Sequence, residues 1–184
     1  YQIVWKTQTE AIAAIKPGVP YREIHLKAAS VIASGLKEMG LMRGDTQAAV
    51  ESGAHALFFP HGLGHMLGLD VHDMEGLGED HVGYDETVQR STQFGLGYLR
   101  LAKKLQTGNV LTVEPGIYFI PPLIDQWKAE NKFSEFIDYS RVEKFRDARG
   151  TRIEDDVLVT ENGFRMLGKP IPRTVEEIEA AMST

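Results

Sequence analysis

At 184 residues, with 42% hydrophobic and 25% charged side chains, the chain is long enough to bury one core and requires no second domain. Its formal net charge of −6 argues against nucleic acid as a partner, and the lack of cysteine excludes a disulfide framework and agrees with a cytoplasmic setting. No apolar run approaches the ~20 residues that span a bilayer and no signal-peptide pattern opens the sequence, so no membrane partner is expected.

Apolar spacing predicts a first helix over residues 1–16, with Ile3, Val4, Ala11, Ile12 and Ile15 on one side and Pro17-Gly18 as its stop. A second helix is predicted over 20–39, facing inward through Ile24, Ala28, Val31, Ile32 and Leu36 and ended by Gly40. His25 is expected to face solvent. A shorter helix over 45–56, capped by Asp45 or Thr46, makes His55 an ordinary helix-end residue.

Residues 58–73 follow, and they hold His61, His65 and His72 among Gly62, Gly64 and Gly68. Imidazole binds metals and moves protons near neutral pH, and glycine lets backbone approach a bound group. The glycines disfavour a helical His-x-x-x-His clip by about 1 kcal/mol each. An irregular turn at 60–64 is expected, then an extended run through Met66, Leu67, Leu69 and Val71. In that run His65 and His72 point to opposite faces unless a bend or bulge at Gly68 re-aims one of them.

Residues 73–92, rich in Gly, Asp and Glu and containing His81, read as a long surface loop. Residues 95–105 form a short turn, within which Arg100 is most simply an exposed arginine. A β-rich run over 109–120 is then interrupted by Glu114 before Pro115-Gly116, and a carboxylate there is costly to bury without a cation or donors. Residues 121–149, with Trp127, Phe133, Phe136 and Phe145, read as a surface insertion packed by its aromatics. On the strand expected over 151–160, Arg152, Glu154 and Asp156 share one face and Ile153, Asp155 and Val157 the other. The plain alternative for Arg152 is an ion pair at a surface strand end. Thr174 and Glu177 make a capping box for a terminal helix through Met182.

Three stretches taken together, His-Gly-Leu-Gly-His-Met-Leu-Gly-Leu-Asp-Val-His-Asp at 61–73, Val-Leu-Thr-Val-Glu-Pro-Gly-Ile-Tyr at 110–118 and Thr-Arg-Ile-Glu-Asp-Asp at 151–156, resemble the pita-bread metallopeptidases. That family includes methionine aminopeptidase, aminopeptidase P and prolidase, and the Asp-Val-His-Asp segment at 70–73 and the Arg-Ile-Glu-Asp-Asp segment at 152–156 favour its proline-specific branch. The resemblance implies an α+β pita-bread fold and hydrolysis of Xaa-Pro bonds through a hydroxide shared by two divalent metal ions. By motif, His65, Glu114 and Glu154 are the metal ligands in this chain, with Glu154 bridging. Mn²⁺ suits the oxygen-rich set best, with Co²⁺ or Zn²⁺ as alternatives. His72 matches the histidine that stabilises the tetrahedral intermediate, His61 a pocket histidine, and Arg152 and Arg100 the arginines that steady the site and the substrate carboxylate.

The pattern also departs from the family. Its remaining two ligands are aspartates in a segment ahead of the first helix, and this sequence has no aspartate before Asp45. The resemblance therefore implies the C-terminal portion of one catalytic domain, incomplete at its N-terminal side. Such a portion is inactive by itself and holds at most one metal weakly, unless an N-terminal fragment stays bound. The whole protein is expected to be a homodimer acting on an Xaa-Pro dipeptide, with aminopeptidase P activity on longer peptides as the alternative. A metal-free pita-bread binding module is a third reading, and retention of His65, Glu114 and Glu154 argues against it.

Overall fold

A computed structural model describes residues 1–183. Helix α1 (Gln2–Ala13) packs on helix α2 (Tyr21–Glu38), and the two bury the residues their spacing predicts, including Val4, Ala11, Ile12, Ile24, Ala28, Ile32 and Leu36. Helix α1 ends at Ala13, earlier than its proline stop, with Ile15 still buried in the following turn. Asp45 caps the third helix, α3 (Thr46–Ser52), by accepting from the Ala48 N–H at 2.8 Å. Left-handed Gly53 then turns the chain into a single 3-10 turn at Ala54–Leu57.

Two expectations fail in this helical layer. His25 does not face solvent: it lies on the buried side of α2, between Ile24 and Ala28, with a relative exposure of 0%. His55 is no ordinary helix end, because the 3-10 turn carries it into the core at 1% exposure. Their rings lie 6.5 Å apart, edge to face, and the Phe59 ring lies tilted at 5.3 Å from that of His25.

Strands β1 (Val110–Val113), β4 (Asp155–Thr160) and β5 (Gly163–Met166) form an antiparallel sheet in the order β1-β4-β5. Strands β2 (Gly116–Tyr118) and β3 (Gly150–Arg152) form a second antiparallel pair. Val113 pairs with Asp155 and Gly116 with Arg152, so one register continues across the gap between the sheets. Pro115, which offers no N–H, sits in that gap. The expected strand over 151–160 is accordingly two strands, although Ile153, Val157 and Val159 keep the alternating buried face.

Residues 63–67 run along the free edge of β1. Leu67 donates to Val110 O at 3.0 Å, Thr112 to His65 O at 3.0 Å, and Glu114 to Leu63 O at 2.8 Å. Gly64 permits this approach, since a Cβ there would lie 2.0 Å from the Thr112 carbonyl oxygen. The expected extended run does not continue to Val71. It turns at Gly68, whose N–H donates to Asp70 O while Asp73 N–H returns to Met66 O at 3.2 Å.

The loop over 73–92 holds a 3-10 turn at Glu75–Leu77 and a short helix, α4 (Glu79–Gly83), and Tyr84 plugs it into the core. Residues 121–149 contain helices α5 (Pro121–Ala129) and α6 (Tyr139–Val142). From this segment Ile124, Trp127, Ile137 and Val142 join the main apolar core. Helix α7 (Val175–Met182) begins with the predicted capping box, Thr174 accepting from Glu177 N–H at 3.0 Å.

Candidate metal and substrate site

The unbroken register sets Glu114 opposite Glu154, one in the gap between β1 and β2, the other between β3 and β4. Like charges directly across a strand pair repel, and neither sequence stretch reveals this apposition alone. The edge segment beside β1 brings a third donor. His65, 4% exposed, places Nε2 3.3 Å from Glu114 Oε1, and its Nδ1 engages the Met66 carbonyl at 2.9 Å. Among the described residues, His65, Glu114 and Glu154 each offer a ligand atom within 4.8 Å of the others.

The surrounding hydrogen bonds orient this set. Thr112, two residues before Glu114 on the same strand face, donates to Glu114 Oε1 at 3.1 Å and accepts from the His65 backbone N–H at 3.1 Å. Tyr21 of α2 donates to the Thr112 carbonyl at 2.7 Å. Arg152 Nη1 donates to Glu114 Oε2 and Arg152 Nε to the Tyr118 hydroxyl, both at 2.7 Å. His61 closes the group, with Nε2 3.1 Å from the Tyr118 oxygen and 3.3 Å from Arg152 Nη2.

The charges respond to these contacts. Burial works to raise the Glu114 carboxyl, but the His65 hydrogen bond and the Arg152 charge outweigh it and hold it below its usual range. Desolvation, then the nearby Glu114 charge, pushes the Glu154 carboxyl up. Burial opposes a charge on His65, yet its bonds to Glu114 and to the Met66 carbonyl raise its affinity for a proton. Burial, with the Arg152 guanidinium, lowers that of His61.

The donor set fits a divalent cation on these grounds. One imidazole is fixed through Nδ1 to a backbone carbonyl, leaving Nε2 for the ion, and two opposed carboxylates gain most from a cation between them. A cavity of about 400 Å³ opens beside the set, lined among others by His61, His65, His72, Arg100, Glu114 and Arg152. The bend at Gly68 lets His72 reach it, with its ring 4.4 Å from that of His65. Arg100 lines the cavity too, but its Nη1 is engaged by Glu75 and, at 2.9 Å, by Glu79.

The seven residues that the resemblance assigns to the site, His61, His65, His72, Arg100, Glu114, Arg152 and Glu154, thus meet at this cavity or its cation-binding wall. The sequence reading overlooked Tyr118, Thr112, Glu75, Glu79 and Arg90. Thr112 was detectable through its i−2 relation to Glu114. Glu75 and Glu79 reach Arg100 across more than twenty residues of loop and left no local signal.

A sheet corner that gathers an imidazole and two carboxylates beside a histidine-lined cavity makes a candidate divalent-metal site. Residues 1–161 match Metallopeptidase family M24, and the chain belongs to that family, whose members bind divalent metal. It is 43% identical to the Xaa-Pro dipeptidase of Homo sapiens over 183 residues, and 41% identical to a probable Xaa-Pro aminopeptidase of Aspergillus clavatus over 180. These alignments take in 100% and 98% of the chain but only 36% of either relative, so it spans about a third of their length. The structure of Pseudomonas aeruginosa aminopeptidase PepP superposes on the whole chain with a TM-score of 0.71 and 34% identity, covering 34% of that protein. The fold is the pita-bread fold, of which the chain supplies one portion.

Proposed function

We propose that the chain carries metal-binding and substrate-facing residues of an exopeptidase that hydrolyses Xaa-Pro bonds, in the first instance an Xaa-Pro dipeptidase. The convergence of His65, Glu114 and Glu154 within 4.8 Å at the wall of the cavity carries the reading. These three hold the metal, and Mn²⁺ suits one imidazole among carboxylates, with Co²⁺ and Zn²⁺ also compatible. Divalent metal, when bound, supplies Lewis acidity toward the scissile carbonyl and acidifies water.

The other roles belong to this chain's side chains. His72 donates to the oxygen on which charge builds in the tetrahedral intermediate. His61 contacts the residue after the scissile bond. Arg152 keeps Glu114 ionised and oriented, so the carboxylate stays a ligand rather than a proton carrier. Arg100 faces the end of the cavity that receives the substrate carboxylate.

The same reading makes the whole protein a cytoplasmic homodimer with two metals, two further aspartate ligands coming from outside residues 1–184. The isolated chain then holds at most one ion weakly and hydrolyses nothing. Calorimetric titration with Mn²⁺ tests this, expecting at most one equivalent that disappears in His65→Ala. The whole protein should cleave Gly-Pro, and failure to cleave any Xaa-Pro peptide when metal-loaded would overturn the reading. A second reading, Xaa-Pro aminopeptidase, is favoured by one observation: Arg100 is already paired with carboxylates and so less ready to receive a dipeptide's own. Comparing kcat/KM for Gly-Pro and for a longer Gly-Pro peptide separates the two.

A further inference from the structure

Arg100 sits in an ion-pair cluster at the cavity. Its Nη1 donates to Glu75 and to Glu79. Glu79 Oε2 also accepts from Arg90 Nη2 at 2.8 Å, and Arg90 Nε donates to Asp80 at 2.8 Å. Two guanidiniums therefore face three carboxylates, and the cluster is negative by one charge. Glu75 is the most enclosed of the acids, its side chain 11% exposed, and its Oε2 also lies 3.7 Å from His72 Nδ1. Glu79 is 34% exposed and lines the cavity itself.

An Xaa-Pro dipeptide ends in a carboxylate only a few bonds from the scissile amide, so that charge must enter the cavity with it. In an amidated dipeptide or a longer peptide the same position is a neutral amide. A carboxylate entering here must either displace an acid from Arg100, leaving enclosed Glu75 short of its cation, or remain close to two like charges. A neutral amide faces neither cost. Charges built against one substrate discriminate as well as contacts built for another.

We infer that Glu75 and Glu79 are specificity-determining residues that compete with a substrate's free carboxylate for Arg100, weighting the site toward peptides whose carboxyl group is blocked or lies further along the chain. The inference rests on the Xaa-Pro peptidase reading and identifies two acids that tune it.

The test uses the full-length, Mn²⁺-loaded enzyme and two probes that differ only in charge, Gly-Pro and Gly-Pro amide. The measured quantity is the ratio of kcat/KM for the free acid to that for the amide. Glu79→Gln should raise this ratio about tenfold, mainly through a lower KM for the acid, and Glu75→Gln should raise it at least as much. Asp80→Asn removes an equal charge that touches Arg90 but not Arg100, and should move the ratio less than twofold. Should Glu75→Gln disturb folding, the partly exposed Glu79 decides alone. An unmoved ratio in Glu79→Gln, or an equal rise in Asp80→Asn, overturns the inference while leaving the peptidase reading intact. If the unaltered enzyme cleaves neither probe, the peptidase reading falls and takes the inference with it.

Discussion

Acid should unfold this chain earlier than its carboxylates alone require, because two imidazoles are held uncharged in the core. Burial, then the neighbouring His55, His61 and Arg22, pushes His25 from 6.5 down to about 3, and burial pushes His55 down to about 4. Neither His25 nitrogen has a hydrogen-bond partner among the described residues, and the His55 nitrogens find none in good geometry. Both folded-state values lie below those of the unfolded chain, so the unfolded state binds more protons as pH falls through 6.5. Stability is therefore present in full above that value and is lost on acidification until about pH 3–4. Between pH 7 and pH 5 each imidazole costs about 2 kcal/mol, and the pair up to about 4, a large share of a small domain's total. His65 acts in the opposite sense, since its raised value stabilises the folded chain at low pH. Comparing variants with the unaltered chain cancels that contribution. Urea denaturation, followed through the chain's two tryptophans, should show His25→Leu and His55→Leu each losing about 2 kcal/mol less than the unaltered chain over this interval. Equal losses in all three proteins would refute the reasoning.

Arg152→Lys keeps the charge but cannot serve Glu114 and Tyr118 from one planar fork; it should cut kcat of the full-length enzyme about tenfold or more with little change in stability, by steady-state assay and thermal melting. Gly68→Ala drives a Cβ to within 2.4 Å of the Asp73 side chain and should open the bend that aims His72, so kcat falls while Mn²⁺ affinity at His65 is kept, as separate titration would show. Thr174→Ala removes the capping box and should cost about 1 kcal/mol, read as early loss of amide-exchange protection confined to α7.

Much of this architecture is written locally. Helices α1 and α2 follow from apolar residues at three- and four-residue spacing, and the caps at Asp45 and Thr174 follow from side chains that reach only their own first turn. The site residues were found because His65, Glu114, Arg152 and Glu154 lie within distinctive short motifs. What was missed depends on partners far along the chain. His25 looked like a solvent residue because polar side chains on helices usually are, and its enclosure depends on α3, the Ala54–Leu57 turn and Phe59, all more distant in the chain. The apposition of Glu114 and Glu154 is a matter of register between segments forty residues apart, and periodicity within one strand says nothing about it. The acidic partners of Arg100 lie in a separate loop whose turns were invisible among its glycines and acids.

The edge segment 63–67 has a kinetic consequence. Its hydrogen bonds to β1 join parts of the chain nearly fifty residues apart, and His65 and Glu114 acquire their spacing only when that closure is made. Contacts of such long sequence separation form late, after local helices have already paid their own ordering entropy. During refolding, the ability to capture a cation should therefore arise after helical circular dichroism has recovered, making metal uptake a clock for the last stage of assembly.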